Sequence, residues 1–195
     1  MRTGRSSHRS PSASETRASE VRRSAGVRVG IVLGSDSDLE VMLEAVKVLD
    51  ALDVGHEVVV ASAHRTPERT HEYAATAHAR GLGVLIGAAG GAAALPGVLA
   101  AVSPLPVIGV PIAATPLGGL DALLSIVQMP KGVPVATVAI GAWGAANAAI
   151  LAAQILATGD PALRERLAAY RQKLAAEVDD RARRVAERMT SRHDA

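Results

Sequence analysis

From residue 27 onward the chain alternates short apolar runs with longer segments whose apolar residues recur at helical spacing. Residues 27–33, apolar but for Arg28, read as a parallel strand covered on both faces. Residues 37–53 predict a helix with Leu39, Met42, Leu43, Val46 and Leu49 on one side. Ser37, followed three residues later by Glu40, matches a capping-box start for it. Residues 57–61 predict a second strand. Thr66-Pro67 then opens a second helix with a polar cap and a proline at the first helical position. The pattern continues with strands at 83–88, 107–110 and 135–140. Helices are predicted near 91–102, at 120–129 and at 144–157, and a last one runs from Asp160-Pro161 to about residue 189.

This βαβαβαβαβα order with one terminal helix implies an α/β fold with a parallel sheet, helices on both faces and right-handed crossovers. Five strands suggest the flavodoxin-like order 2-1-3-4-5, a three-layer sandwich with an extra C-terminal helix. Residues 27–159 read as one α/β domain. In 160–195, Leu163, Leu167, Tyr170, Leu174 and Val178 form an amphipathic face that could pack on its own body or on a neighbouring subunit. Residues 1–26 carry Ser, Arg and almost no large apolar side chain, so they read as a disordered basic extension.

Composition sharpens this picture in three ways. The chain is 49% hydrophobic yet only 2% aromatic, so its core must be built from Ala, Val, Leu and Ile. The lack of stacking platforms argues against single-strand nucleic-acid binding. With no cysteine, a disulfide scaffold, a thiolate metal site and a thiol nucleophile are all excluded. Residues 1–26 hold six Arg and two Glu, leaving 15 basic and 17 acidic residues in the remainder. The basic balance of the chain therefore belongs to its N-terminal segment.

Residues 81–120 and 132–159 contain no charge, which raises the question of a membrane. A spanning helix needs about 20 apolar residues in a row. Prolines 96, 104, 106, 111 and 116 break the first run. The second starts β-like, breaks at Gly141 and Gly144, and resumes with Asn147 and Gln154. A buried strand and helix are the better reading. Nor does the N-terminal segment contain the apolar stretch of a secretory signal.

Candidate chemistry lies in the loops after strands one, two and three, which should converge where the strand order reverses. After strand one comes Gly34-Ser35-Asp36-Ser37-Asp38, leading into a helix. Its serines and free amides suit a phosphate, and Asp36 or Asp38 suits ribose hydroxyls. Alternatively, Ser37 serves only as a cap. The loop matches neither a dinucleotide fingerprint nor a Walker loop. After strand two comes Ser62-Ala63-His64-Arg65-Thr66-Pro67, where His64 can exchange protons near neutral pH and Arg65 can pair with phosphate. After strand three, residues 87–97 are nearly all Gly and Ala. They would allow close backbone approach to a ligand or, equally, to a neighbouring backbone. No cluster has metal-ligand spacing, and no nucleophile elbow is present.

Those loops, followed by Ser125-Ile126-Val127-Gln128-Met129-Pro130 and Gly144-Ala145-Ala146-Asn147-Ala148, resemble the bacterial N5-carboxyaminoimidazole ribonucleotide mutase family, PurE, of purine biosynthesis. The resemblance covers about residues 27–156. Ser-Ala-His-Arg and the Gly-Gly-Ala-Ala-x-Leu-Pro-Gly loop look like the mutase branch, rather than the carboxylase branch that uses free carbon dioxide. The resemblance implies an isomerase that moves a carboxylate from the exocyclic nitrogen of an aminoimidazole ribonucleotide to ring carbon C4. The family route is decarboxylation and recarboxylation, without metal or cofactor. It implies His64 as general acid/base; Ser35, Ser37, Asp38 and Arg65 as ribose and phosphate contacts; and Ser62, Gly90, Gly91 and Ala92 as the lining for base and carbon dioxide. It also implies a cytoplasmic homo-octamer with no nucleic-acid or membrane partner. The chain departs from the family at Ala94, where a histidine is usual, at Leu39 in place of a tryptophan, at Ala113 and Ala114, and at Trp143. Two other readings use the same residues: a paralogous carboxylase or decarboxylase with a shifted substrate, and a non-catalytic nucleotide-binding protein.

Overall fold

The computed structural model describes residue 26 and residues 28–193. The expected disorder of 1–26 therefore concerns residues almost wholly outside the described part. In chain order the elements are β1 (Val29–Leu33), α1 (Leu39–Ala51), β2 (His56–Val60), α2 (Pro67–Thr76), β3 (Val84–Gly90), α3 (Leu95–Val102), β4 (Val107–Ile112), α4 (Leu120–Val127), β5 (Ala136–Thr137), α5 (Ala142–Ala157) and α6 (Pro161–His193). The strands form one parallel sheet in the order β2-β1-β3-β4-β5. This is the predicted flavodoxin-like three-layer arrangement with its additional C-terminal helix.

Apolar side chains leave the central strands on both faces. Val29, Ile31 and Leu33 of β1 join Met42, Ala45 and Leu49 of α1 and the alanines of α5 in one core. Val32 and Leu85 join Tyr73, Ala74, Leu95, Leu99 and Ile126 in the other. In α5, Gly144, Ala145, Ala148, Ala149, Ala152 and Ala153 are all buried. Their small size brings α5 close against α1, its principal helical neighbour. Within the uncharged stretch 132–159 the buried residues thus lie in α5 from Gly144 onward, whereas Ala136 and Thr137, expected in a buried strand, sit at the sheet edge and are not buried. Among the described residues no helix is long and apolar enough to cross a membrane. Leu163 and Leu167 of α6 belong to the first core, whereas Leu174 and Val178 on the same face are exposed.

Two local expectations are corrected. The cap of the first helix lies two residues earlier than Ser37. Ser35 and Asp38 form a capping box around a 3-10 turn, Asp36–Asp38, and α1 follows only at Leu39. Asp38 Oδ2, three residues on in the turn, accepts the Ser35 N–H at 3.1 Å, whereas Glu40 lies beyond the turn. β5 is two residues long, not the expected six. The Val138 N–H still reaches the Gly109 carbonyl, but Pro111 of β4, whose carbonyl faces the same side, has no N–H to return. The ladder cannot continue past that proline, and Gly141, one residue out of register, takes the Pro111 carbonyl.

Candidate active site

At the carboxyl edge of the sheet, the loops after β1, β2 and β3 enclose a cleft of about 190 Å³. Ser35, Ser37 and Asp38 come from the first loop, Ser62, His64 and Arg65 from the second, and Gly90 from the third. Of the residues singled out in the sequence, Gly91 and Ala92 are not among those lining the cleft. Ala92 instead points its carbonyl at α4, where it accepts the Ser125 hydroxyl.

Each loop is fixed by its own hydrogen bonds. In the first, Ser35 Oγ accepts from the Ser37 N–H at 3.4 Å and from its hydroxyl at 3.0 Å, while Asp36 Oδ1 accepts the Ser37 N–H at 3.1 Å. Asp38 points inward and is only 4% exposed. Burial pushes its carboxyl above the usual range, and the donors from Ser35 and Ser37 only partly oppose this. In the second loop the Ser62 N–H donates to Thr66 Oγ1 at 3.0 Å and the Thr66 N–H returns to the Ser62 carbonyl at 2.9 Å. This tight reversal leaves His64 and Arg65 exposed at its apex. Arg65 Nη2 reaches across to the Gly34 carbonyl at 3.5 Å. The His64 ring has no hydrogen bond to another described residue, so both its nitrogens are open to a ligand.

The third loop carries backbone strain. Gly91 has φ +62° and Ala93, a residue with a side chain, has φ +41°. A left-handed alanine costs about 1–2 kcal/mol, and such strain clusters at binding sites. The Ala93 N–H closes the turn on the Gly90 carbonyl at 3.1 Å. Beyond it, Ala94 and Leu95 line the cleft at the start of α3.

Alanines complete the lining: Ala63, Ala89, Ala93, Ala94 and Ala114. Ala114 comes from the loop after β4, which sequence reasoning did not place at the site. Strand order held the clue, since β4 neighbours β3 and Gly90 pairs with Ile112. That loop is held by Thr115 Oγ1, which donates to Asp121 Oδ2 at 2.7 Å. The Thr115 hydroxyl draws the Asp121 carboxyl below the usual range. Among the described residues no group of three or more His, Asp or Glu is placed to hold a metal ion.

A family profile described as AIR carboxylase matches residues 28–177, spanning the sheet and all three loops. The chain belongs to this family. It is 60% identical over 147 residues to the N5-carboxyaminoimidazole ribonucleotide mutase of Pyrococcus abyssi, covering 75% of this chain and 83% of that one. It is 54% identical over 166 residues to the mutase of the same name from Mycobacterium tuberculosis, covering 84% and 94% respectively. Among solved structures, Treponema denticola PurE superposes with a TM-score of 0.70 at 26% identity, over 78% of this chain and 94% of the other. The AIR carboxylase family match ends at Glu177, so the remainder of α6 lies beyond it.

Proposed function

We propose that this chain interconverts N5-carboxyaminoimidazole ribonucleotide and 4-carboxyaminoimidazole ribonucleotide, as an isomerase of purine biosynthesis. The observation that carries this reading is one cleft uniting an unbonded His64 with Arg65 and a serine-rich helix start, in a chain 60% identical to a named mutase.

The chemistry balances with a single proton carrier. The N–C bond of the carbamate breaks, releasing carbon dioxide, and the exocyclic nitrogen takes a proton from the His64 imidazolium. Ring carbon C4 then attacks the retained carbon dioxide, and the imidazole takes the C4 proton back. Ser35, Ser37, Asp38 and Arg65 hold ribose and phosphate. Ser62 and Gly90 line the base and carbon dioxide. The alanine lining excludes water while carbon dioxide is held.

The enzyme acts in the cytoplasm as a homo-octamer in this reading. Support comes from apolar surface left open on the single chain: Leu120, Leu124 and Val127 along one face of α4, and Trp143, 83% exposed, at the start of α5.

The test is to incubate purified protein with 4-carboxyaminoimidazole ribonucleotide and follow its loss by ultraviolet absorbance. Absorbance loss is expected. Nucleotide binding without interconversion would overturn the isomerase reading in favour of a binding protein. A second reading, a paralogue with a shifted substrate, is favoured by one observation: Ala94 lines the cleft where the family usually has histidine. Under the mutase reading Ala94→His raises turnover of the ribonucleotide; a fall would favour the paralogue.

A further inference from the structure

A second cleft, of about 290 Å³, adjoins the first and shares Gly34, Ser35, Ser62 and Arg65 with it. It extends the site toward α2, where Thr66 and Arg69 line it, and Asp36 and Val60 complete its lining. Arg69 lies four residues after Arg65, inside α2, and is exposed. It makes no ion pair or hydrogen bond with another described residue, and Arg65 has only the distant Gly34 carbonyl for its guanidinium.

Arg69 adds a cation to this opening beyond those already at the site. The first loop brings two carboxyls, Asp36 and Asp38, against the guanidinium of Arg65 and the imidazole of His64. A phosphate dianion seated beside the carboxyls gains from each further cation that faces it. Asp36 is occupied in holding the Ser35 hydroxyl and the Ser37 N–H, both at 3.1 Å, but its charge remains. Arg69 sits beside Glu68 in the first turn of α2, the end of a helix that favours an anion such as phosphate. An unpaired cation there, lining a cleft continuous with the nucleotide site, has an electrostatic reason to exist once a phosphate is bound.

We propose that Arg69 is a second phosphate-binding residue, and that it engages the 5′-phosphate from the side opposite the Ser35–Ser37 turn together with Arg65. The proposal rests on the ribonucleotide reading above and adds a residue to it. It predicts that Arg69 reads the phosphate and nothing else of the substrate.

The test uses the full chain and ribose 5-phosphate as the probe, with affinity measured by titration calorimetry. Arg69→Gln should weaken ribose 5-phosphate binding about tenfold and flatten its dependence on salt. Arg69→Lys should recover part of the loss, while the affinity for the carboxyaminoimidazole nucleoside, which lacks the phosphate, stays put. Equal ribose 5-phosphate affinity in wild type and Arg69→Gln would overturn the proposal. So would equal weakening of nucleotide and nucleoside, which would mark a structural role, or a wild-type protein that ignores ribose 5-phosphate. Wild type that binds ribose 5-phosphate but leaves the carboxyaminoimidazole ribonucleotide unconverted would sink the isomerase reading. Arg69 would then still be judged by the phosphate titrations.

Discussion

Adding one methyl group at Gly90 should damage the site far more than the fold. A Cβ built on Gly90 lies 2.5 Å from the Ala114 Cβ and 3.0 Å from the Ile112 carbonyl oxygen. Ordinary contact begins at 3.4 Å, so Gly90→Ala leaves the two methyls about 0.9 Å too close. Gly90 is held in the ladder opposite Ile112, and Ala114 lies in an exposed loop, so the loop must give way. Overpacking of this kind costs about 1–3 kcal/mol. An exposed loop places Gly90→Ala near the lower end, a fall of about 2–4 °C in Tm for a chain of this size. The loss in kcat/KM should be larger, about a hundredfold, because Ala114 forms one wall of the cleft and a misplacement near 1 Å has that effect. Pairing the change with Ala114→Gly removes the closer clash, so the double variant should recover most of the activity. The assay is steady-state interconversion of 4-carboxyaminoimidazole ribonucleotide, with thermal melting in parallel. Full kcat/KM in Gly90→Ala, or no recovery in the double variant, would refute the argument.

Three further outcomes follow from the same geometry. His64→Ala should abolish turnover and leave Tm within about 1 °C, since the ring is exposed and makes no bond to the body; retained turnover would remove His64 from proton transfer. Asp38→Asn bears on pH. A carboxyl raised by burial favours the folded state most when protonated, so its contribution is fully present below its unfolded value near 3.8 and is lost as pH rises through the higher folded value. The stability of Asp38→Asn relative to wild type, from urea titrations, should therefore increase from acid toward neutral pH and then level off; a flat or falling difference would contradict this. Ser125→Ala should lower kcat with a stability loss of only about 0.5–1 kcal/mol, since water can replace the hydroxyl at the exposed Ala92 carbonyl. Melting and kinetics on Ser125→Ala and Ser125→Thr check this, and a threonine variant no better than alanine would deny the hydroxyl a positioning role.

The order of strands and helices was legible because burial on both faces of a central strand, and on one face of a helix, leaves local periods in the sequence. The clearest instance is α1, whose buried Met42, Ala45 and Leu49 recur three and four apart. Boundaries were less legible where a single atom decides them. The missing N–H of Pro111 truncates β5, and no pattern within residues 135–140 announces that loss. Likewise, Ser37 with Glu40 satisfies the capping rule on paper, but the chain folds around Ser35 and Asp38, whose carboxylate accepts the Ser35 N–H.

At the site, the sequence by itself determined which loops carry polar and proton-moving groups, and that a switch point would bring the first three together. Only the tertiary structure decided their final composition. It buried Asp38 in its own loop and turned the Ala92 carbonyl toward Ser125, 33 positions away. It also brought Ala114 in through the pairing of β3 with β4 and opened the neighbouring cleft onto Arg69. The physical reason is one of range. Hydrophobic period, caps and turns depend on neighbours within a few residues. The walls of a cleft depend on strand register and on the volume left between packed elements, and both are set by contacts far apart in the chain.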